Sequence, residues 1–245
     1  TNTAGTVTTA DGTDLTGLRL VVKEKVAPAI TITAPTAGAT ITTNKPAVKW
    51  TVTDADSGVN PNTISIKIDS GSAITSGITK TASGKGFTCS YTPPTALADG
   101  SHTITINASD YDGNAATAKS VTFKVDTTPP TLSVSAPAEG LITNKAALTI
   151  TGTTNDVTSS PVTVKITLNG TDQGAVTVGT GGAFSKAVTL KEGANTIVVT
   201  ATDSAGKATT VTRHVTLDTS APVIVAATIT PNPADTGATV LISVT

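Results

Sequence analysis

The sequence predicts an all-β chain of tandem antiparallel β-sandwiches joined by short proline-containing linkers. Three observations predict it: a β-branched composition, hydrophobic runs of period two, and a long internal repeat. Threonine supplies 54 of the 245 residues. With Val and Ile it makes a chain whose side chains are stiff at χ1 and favour strands. That composition excludes an all-helical protein.

The repeat sets the organisation. Ala34-Pro35-Thr36-Ala37-Gly38, followed by Ile41-Thr42-Thr43-Asn44-Lys45 and Ala47-Val48-Lys49-Trp50, returns as Ala136-Pro137-Ala138-Glu139-Gly140, Leu141-Ile142-Thr143-Asn144-Lys145 and Ala147-Leu148-Thr149-Ile150. The ends match as well, Leu97-Ala98-Asp99-Gly100-Ser101-His102 against Leu190-Lys191-Glu192-Gly193-Ala194-Asn195. A period of about 100 residues is too long for a solenoid and suits whole domains. Proline-bearing punctuation closes each unit, at Ala27-Pro28, at Asp126-Thr127-Thr128-Pro129-Pro130 and at Asp218-Thr219-Ser220-Ala221-Pro222. The expected division is a domain over 28–126 and a second over 127–219. Residues 1–27 read as the last hairpin of a preceding domain, and 220–245 as the first strands of a following one. Because Pro fixes φ and extends its predecessor, the connectors are expected to be semi-rigid.

Within each unit the apolar residues alternate. Val48, Trp50 and Val52, then Ile64, Ile66 and Ile68, then Phe87, Cys89 and Tyr91, then Ile104, Ile106 and Ala108 each mark a strand with one buried face. The second unit repeats this in Leu148 and Ile150, in Val162 to Leu168, in Val176 and Val178, in Phe184, Val188 and Leu190, and in Ile197, Val199 and Ala201. Asp99-Gly100, Asp112-Gly113-Asn114 and Asn169-Gly170 supply turns between them. About seven short strands per unit fit a sandwich.

The run Ala201-Thr202-Asp203-Ser204-Ala205-Gly206-Lys207 to Leu217-Asp218-Thr219, with its counterpart Ala108-Ser109-Asp110-Tyr111-Asp112-Gly113-Asn114 to Asp126-Thr127-Thr128-Pro129-Pro130, resembles bacterial immunoglobulin-like domains. The resemblance covers about four fifths of the chain. It implies tandem immunoglobulin-like sandwiches of extracellular or cell-surface proteins, serving as spacers, stalks and occasional ligand binders. The fold itself carries no chemistry. Two features depart from antibody-type domains: Trp50 sits on the second strand, and Cys89 has no partner for an inter-sheet disulfide.

Charge and cysteine content narrow the function further. A net charge of −1 gives no cationic face for nucleic acid or anionic lipid. One Cys and two His make thiol redox and zinc chemistry poor expectations. No apolar run reaches the length of a membrane span, and the opening residues lack signal-peptide character, so a mature or excised segment is expected.

The acidic residues are the one constellation to weigh. The loop after the second strand and the last hairpin of the first unit are expected at one end of the sandwich, which brings Asp54, Asp56, Asp110 and Asp112 together, with Glu24 supplied by the connector. Asp126 is expected to face Asp156 and Asp203 at the next junction. Calcium takes six to eight oxygens, so such a set is a calcium candidate and the only cofactor the sequence suggests. The alternative is that these Asp residues build turns by bonding nearby backbone.

No residue set reads as catalytic, and the chain is expected not to be an enzyme. His102 lacks a nucleophile or elbow motif and sits where related sandwiches place a corner residue bonding upstream backbone, with Asn195 at the matching position. Asp54 and Asp56 as a glycosidase pair would need a sugar groove with an aromatic platform, and only six aromatic residues exist. Trp50 reads as core, and Tyr111 as the one exposed aromatic.

The expected function is a non-enzymatic extracellular spacer of a bacterial adhesin, fibre or appendage, partnered by neighbouring domains of its own array. A carbohydrate-binding or accessory module of a secreted enzyme is the alternative. Identical subunits joined in a filament by strand addition form a further possible partnership.

Overall fold

The computed structural model describes residues 23–224, together with 227–230, Gly237 and 241–244. The hairpin expected over 1–27 falls almost entirely outside the described residues. The chain divides into two compact units, with the boundary between Thr127 and Thr128.

The first unit contains β1 (Ala29–Ala34), β2 (Thr40–Ile41), β3 (Val48–Thr53), β4 (Ser65–Ile68), β5 (Thr79–Ser83), β6 (Gly86–Tyr91), β7 (Gly100–Asn107) and β8 (Lys119–Val125). They form two four-stranded sheets, ordered β1-β3-β6-β5 and β2-β8-β7-β4. The alternation read in the sequence places Trp50 and Val52 of β3, Cys89 of β6, Ile104 and Ile106 of β7 and Phe123 of β8 in one buried cluster. Both sheets therefore close on a single core.

The second unit repeats the plan with β9 (Thr131–Ala136), β10 (Leu141–Thr143), β11 (Ala147–Asn155), β12 (Thr163–Leu168), β13 (Thr171–Asp172), β14 (Ala183–Thr189), β15 (Gly193–Thr202) and β16 (Ala208–Leu217). Its sheets are β14-β11-β9 and β10-β16-β15-β12-β13. Ile150, Ile166, Phe184, Ile197, Val199 and Val215 sit in its own buried cluster. Beyond it, β17 (Ala227–Thr230) and β18 (Leu241–Val244) pair antiparallel.

The repeated Ala-Pro-x-x-Gly segment has a structural cause. In each unit the first strand pairs antiparallel in one sheet, and the next short strand pairs parallel to the last strand in the other. Pro35 and Pro137 cannot donate to a ladder, so they end the first pairing. Gly38 and Gly140 then turn the chain at φ +74° and +73°, a region that costs Gly little.

The cores solve one packing problem in two ways. Val52 pairs with Phe87 in the first unit, and Gly152 pairs with Phe184 at the matching place in the second. There Phe184 is buried, whereas Phe87 is half-buried. A Cβ on Gly152 would stand 2.4 Å from Phe184 Cζ and 2.3 Å from the Ser133 carbonyl oxygen, so the missing side chain is the room that admits the ring.

One sequence expectation differs from the structure. Val176 and Val178 do not form a strand; only an isolated bridge joins Val178 to Phe184. Gly181 and Gly182, at φ +74° and +78°, curl the chain into a 3-10 turn over Thr180–Gly182 instead. A run with so little side chain and with left-handed backbone cannot hold a ladder.

Candidate cation site

Three segments of the first unit build the site. After β3, Asp54 Oδ1 accepts hydrogen bonds from the main-chain N–H groups of Asp56 (3.0 Å) and Gly58 (2.7 Å). Between β7 and β8, Asp110 Oδ1 accepts from Asn114 N (2.8 Å) and Oδ2 from Asn114 Nδ2 (2.7 Å). Both are Asp residues bonding backbone a few positions on, which fixes each loop. Tyr111 N donates to Gly58 O at 3.1 Å and ties the loops together.

The connector supplies Glu24. Ser57 Oγ donates to its Oε1 (3.0 Å), the Val26 N–H to its Oε2, and Asn114 Nδ2 to its main-chain oxygen (3.0 Å). One carboxylate oxygen each of Glu24, Asp54 and Asp110 then lies within 4.8 Å of the others. Asp54 Oδ2 is buried without a hydrogen-bond partner. Burial pushes the Asp110 carboxyl up, but the Asn114 side chain and N–H, a hydrogen bond with Glu24 and the Gly113 N–H outweigh it and hold it below 3.8.

The other two sequence candidates lie outside this trio. Asp112 Oδ2 accepts from Glu24 N (3.0 Å) and so anchors the connector. Asp56 contributes its N–H to Asp54 and is exposed. Three hard carboxylate oxygens in one cluster have the chemistry that suits a calcium-class cation rather than zinc or copper. The same bonds occupy Asp54 in turn formation, so it does not pair with Asp56 as two carboxyls flanking a substrate would.

His102 is a corner residue. Its Nε2–H donates to Ala98 O and its Nδ1–H to Asp69 Oδ2, both at 2.8 Å. Both partners are acceptors, so both ring nitrogens carry hydrogen and the imidazolium form is favoured. Asn195 does the same in the second unit, donating from Nδ2 to Lys191 O (2.7 Å). Asn169 takes the place of Asp69, donating to Asn195 Oδ1 at 3.0 Å. The sequence pointed to the His102 and Asn195 corners but not to Asp69. Its signal is the Asp69-Ser70 and Asn169-Gly170 correspondence, where both first residues have φ +51°.

The charged corner gives the first unit a pH dependence. Burial lowers the His102 pKa, but the Ala98 carbonyl, the Asp69 hydrogen bond and the Asp69 charge together raise it above 6.5. Burial raises the Asp69 pKa, but the Thr103 N–H, the His102 hydrogen bond and the His102 charge lower it below 3.8. The imidazolium contribution is complete below pH 6.5 and is lost as pH rises through the raised value; the carboxylate contribution is complete above pH 3.8 and is lost as pH falls through the lowered one. First-unit stability is therefore expected to peak between these values. Trp50 is the single Trp, so its fluorescence reads this unit alone. A D69N/H102N variant, carrying the second unit's pair, is expected to flatten the midpoint profile; an unaltered profile would contradict the assignment.

The remaining candidates are quiet. Trp50 is 0% exposed and belongs to the core. The Cys89 thiol is pushed up to about 11 by burial, opposed by the nearby Lys80 charge, which leaves it an inert thiol. Tyr111 is 64% exposed and borders a shallow groove with Ser57, Lys85 and Phe87. Exposed hydroxyls pair across strands, Thr103 with Thr122 (3.1 Å), Thr105 with Ser120 (2.9 Å) and Thr200 with Thr210 (3.2 Å). No helix among the described residues is long and apolar enough to cross a membrane.

Comparison with known proteins agrees with this architecture. Residues 27–127 match the family described as bacterial Ig-like domain, and residues 130–219 match glucodextranase, domain B. No curated protein matches the chain significantly. Among solved structures, the fibronectin(III)-like modules of Clostridium thermocellum CbhA are 19% identical, with 77% of this chain and 94% of that one covered and a TM-score of 0.41. Dimeric latent PorU from Porphyromonas gingivalis is 17% identical over 80% of this chain and 21% of that one, with a TM-score of 0.37. Sidekick-1 immunoglobulin domains 1–4 are 14% identical over 78% and 49%, with a TM-score of 0.47. The chain is thus a tandem of bacterial immunoglobulin-like domains, one over 27–127 and a glucodextranase domain B type over 130–219.

Proposed function

We propose that the chain is a non-enzymatic extracellular segment that spaces or presents other parts of a bacterial surface adhesin, fibre or appendage. The observation that carries this reading is the closed core of each module: the large apolar side chains fill the module's own interior. The loop polar groups, meanwhile, are largely engaged in bonding their own turns. Small-angle scattering combined with a glycan array tests it. An extended profile without glycan binding is expected, whereas saturable glycan binding abolished by Tyr111→Ala would replace it. That second outcome is the carbohydrate-binding reading, which the exposed Tyr111 beside its groove favours.

Two features complete the proposal. The partners are neighbouring domains of the same array; the filament alternative predicts oligomers in light scattering at high concentration, and a monodisperse monomer removes it. Glu24, Asp54 and Asp110 form the calcium position of the first module, with the unpartnered Asp54 Oδ2 as its open ligand. Calcium is expected to raise the Trp50-monitored melting midpoint and chelator to reverse it. An unchanged midpoint at ~10 mM calcium, above the 10⁻⁴–10⁻³ M range of extracellular modules, would remove that site.

A further inference from the structure

We propose that the second module binds a calcium-class divalent cation between the β11–β12 loop and the β15–β16 hairpin, with Asp156 and Asp203 as its carboxylate ligands. Both ligands belong to one module, and the inference goes beyond the spacer reading, so neither depends on the other.

The first observation is the pair itself. Asp156 and Asp203 are 7% and 6% exposed, and a carboxylate oxygen of each lies within 4.8 Å of the other's. Asp156 Oδ1 accepts from Thr158 N (2.8 Å) and from Ser159 N, and Asp203 Oδ1 from Ala205 N (2.8 Å) and Lys207 N (2.9 Å). Ser204 N donates to Ser159 O at 3.1 Å and joins the two loops. Main-chain bonds therefore hold the two carboxylates toward one another, at a separation that like charges do not favour without a cation.

The second observation is an orphan. Asp203 Oδ2 is buried and has no hydrogen-bond partner. Its first-module counterpart, Asp110 Oδ2, holds the Asn114 side-chain amide at 2.7 Å. Lys207 stands where Asn114 does, and it gives Asp203 only its main-chain N–H. The substitution removes the amide donor without replacing it. Among the described residues no Lys, Arg or His forms an ion pair with Asp156 or Asp203. Ser159 Oγ, in the same loop, is also buried and unpartnered.

A buried carboxylate oxygen without donor or countercharge is strongly unfavourable. A hard cation removes that cost for Asp203 and the repulsion of Asp156 in one step. The donor set is carboxylate oxygen alone, which suits calcium or magnesium and not thiolate- or imidazole-seeking metals. Two carboxylates leave positions for water and main-chain carbonyls, as the six to eight ligands of calcium require.

Titration of the full chain with calcium chloride, followed by amide NMR and calorimetry, tests the proposal. The amides of Thr158, Ser159, Ala205 and Lys207 are expected to shift together with saturation, and magnesium to compete weakly. Asp203→Asn, which keeps the shape and the Oδ1 acceptor, is expected to weaken this site at least tenfold. Lys207→Asn, which restores the amide donor to Oδ2, is expected to weaken it less. Asp110→Asn in the first module is expected to leave these four shifts unchanged. Amides that do not move at ~10 mM calcium, above the usual range of extracellular modules, would overturn the proposal, whatever the variants do. An unchanged affinity in a folded Asp203→Asn protein would overturn it too.

Discussion

Replacing Trp50 with alanine is expected to unfold the first module at a temperature lower by at least about 12 °C, while leaving the second module's transition in place. Trp50 is fully buried between Val48 and Val52 on β3, beside Cys89 of β6. Removing a core Trp forfeits its transfer free energy and leaves a cavity, at about 3–5 kcal/mol. In a domain of about 100 residues each kcal/mol moves the midpoint by about 4–8 °C. The two buried clusters share no residue, so the loss stays local. Differential scanning calorimetry of the full chain reads both transitions, and a parallel fall of the two would contradict this expectation.

Gly152→Val is expected to cost the second module about 3 kcal/mol, at the upper end of overpacking. Val is the residue the first module carries at this position, as Val52. It fits there because Phe87 lies half outside the core, and it fails in the second because the Phe184 ring occupies the space. A Cβ would also meet the Ser133 carbonyl oxygen at 2.3 Å, which neighbouring backbone cannot yield cheaply. Phe184→Ala by itself costs about 3–5 kcal/mol, but the double variant is expected to lose less than the sum of the two single losses, because removing the ring relieves half of the clash. Calorimetry of the single and double variants checks this; additive losses would show that the two residues do not compete for one volume.

The fold was legible because its signals are local and repeated. Period-two alternation in Val48-Lys49-Trp50-Thr51-Val52 is a face assignment in itself, and the Ala-Pro-x-x-Gly segment marks the strand switch in both units. Val176 and Val178 misled because alternation was weighed without the glycines around them, whose backbone freedom decides a segment that short. At the candidate site, the meeting of Glu24, Asp54 and Asp110 followed from loop placement. The diversion of Asp112 to the Glu24 N–H did not, since it depends on the direction in which the connector enters. Asp69 was hidden for a similar reason: it reaches His102 from the turn after β4, and only the Asn169–Asn195 pair in the second unit shows the two positions as a matched set. The orphaned oxygen of Asp203 was written in the sequence as the exchange of Asn114 for Lys207. Its meaning needed the burial that only the structure supplies.

Each module is a self-contained β-sandwich with its own buried cluster. Producing residues 23–127 and 128–224 as separate chains and melting each by circular dichroism tests it most directly. Two cooperative transitions with β-sheet spectra, each near the matching transition of the full chain, are the predicted result. A segment that is unstructured alone yet ordered in the full chain would show that the modules are not self-contained.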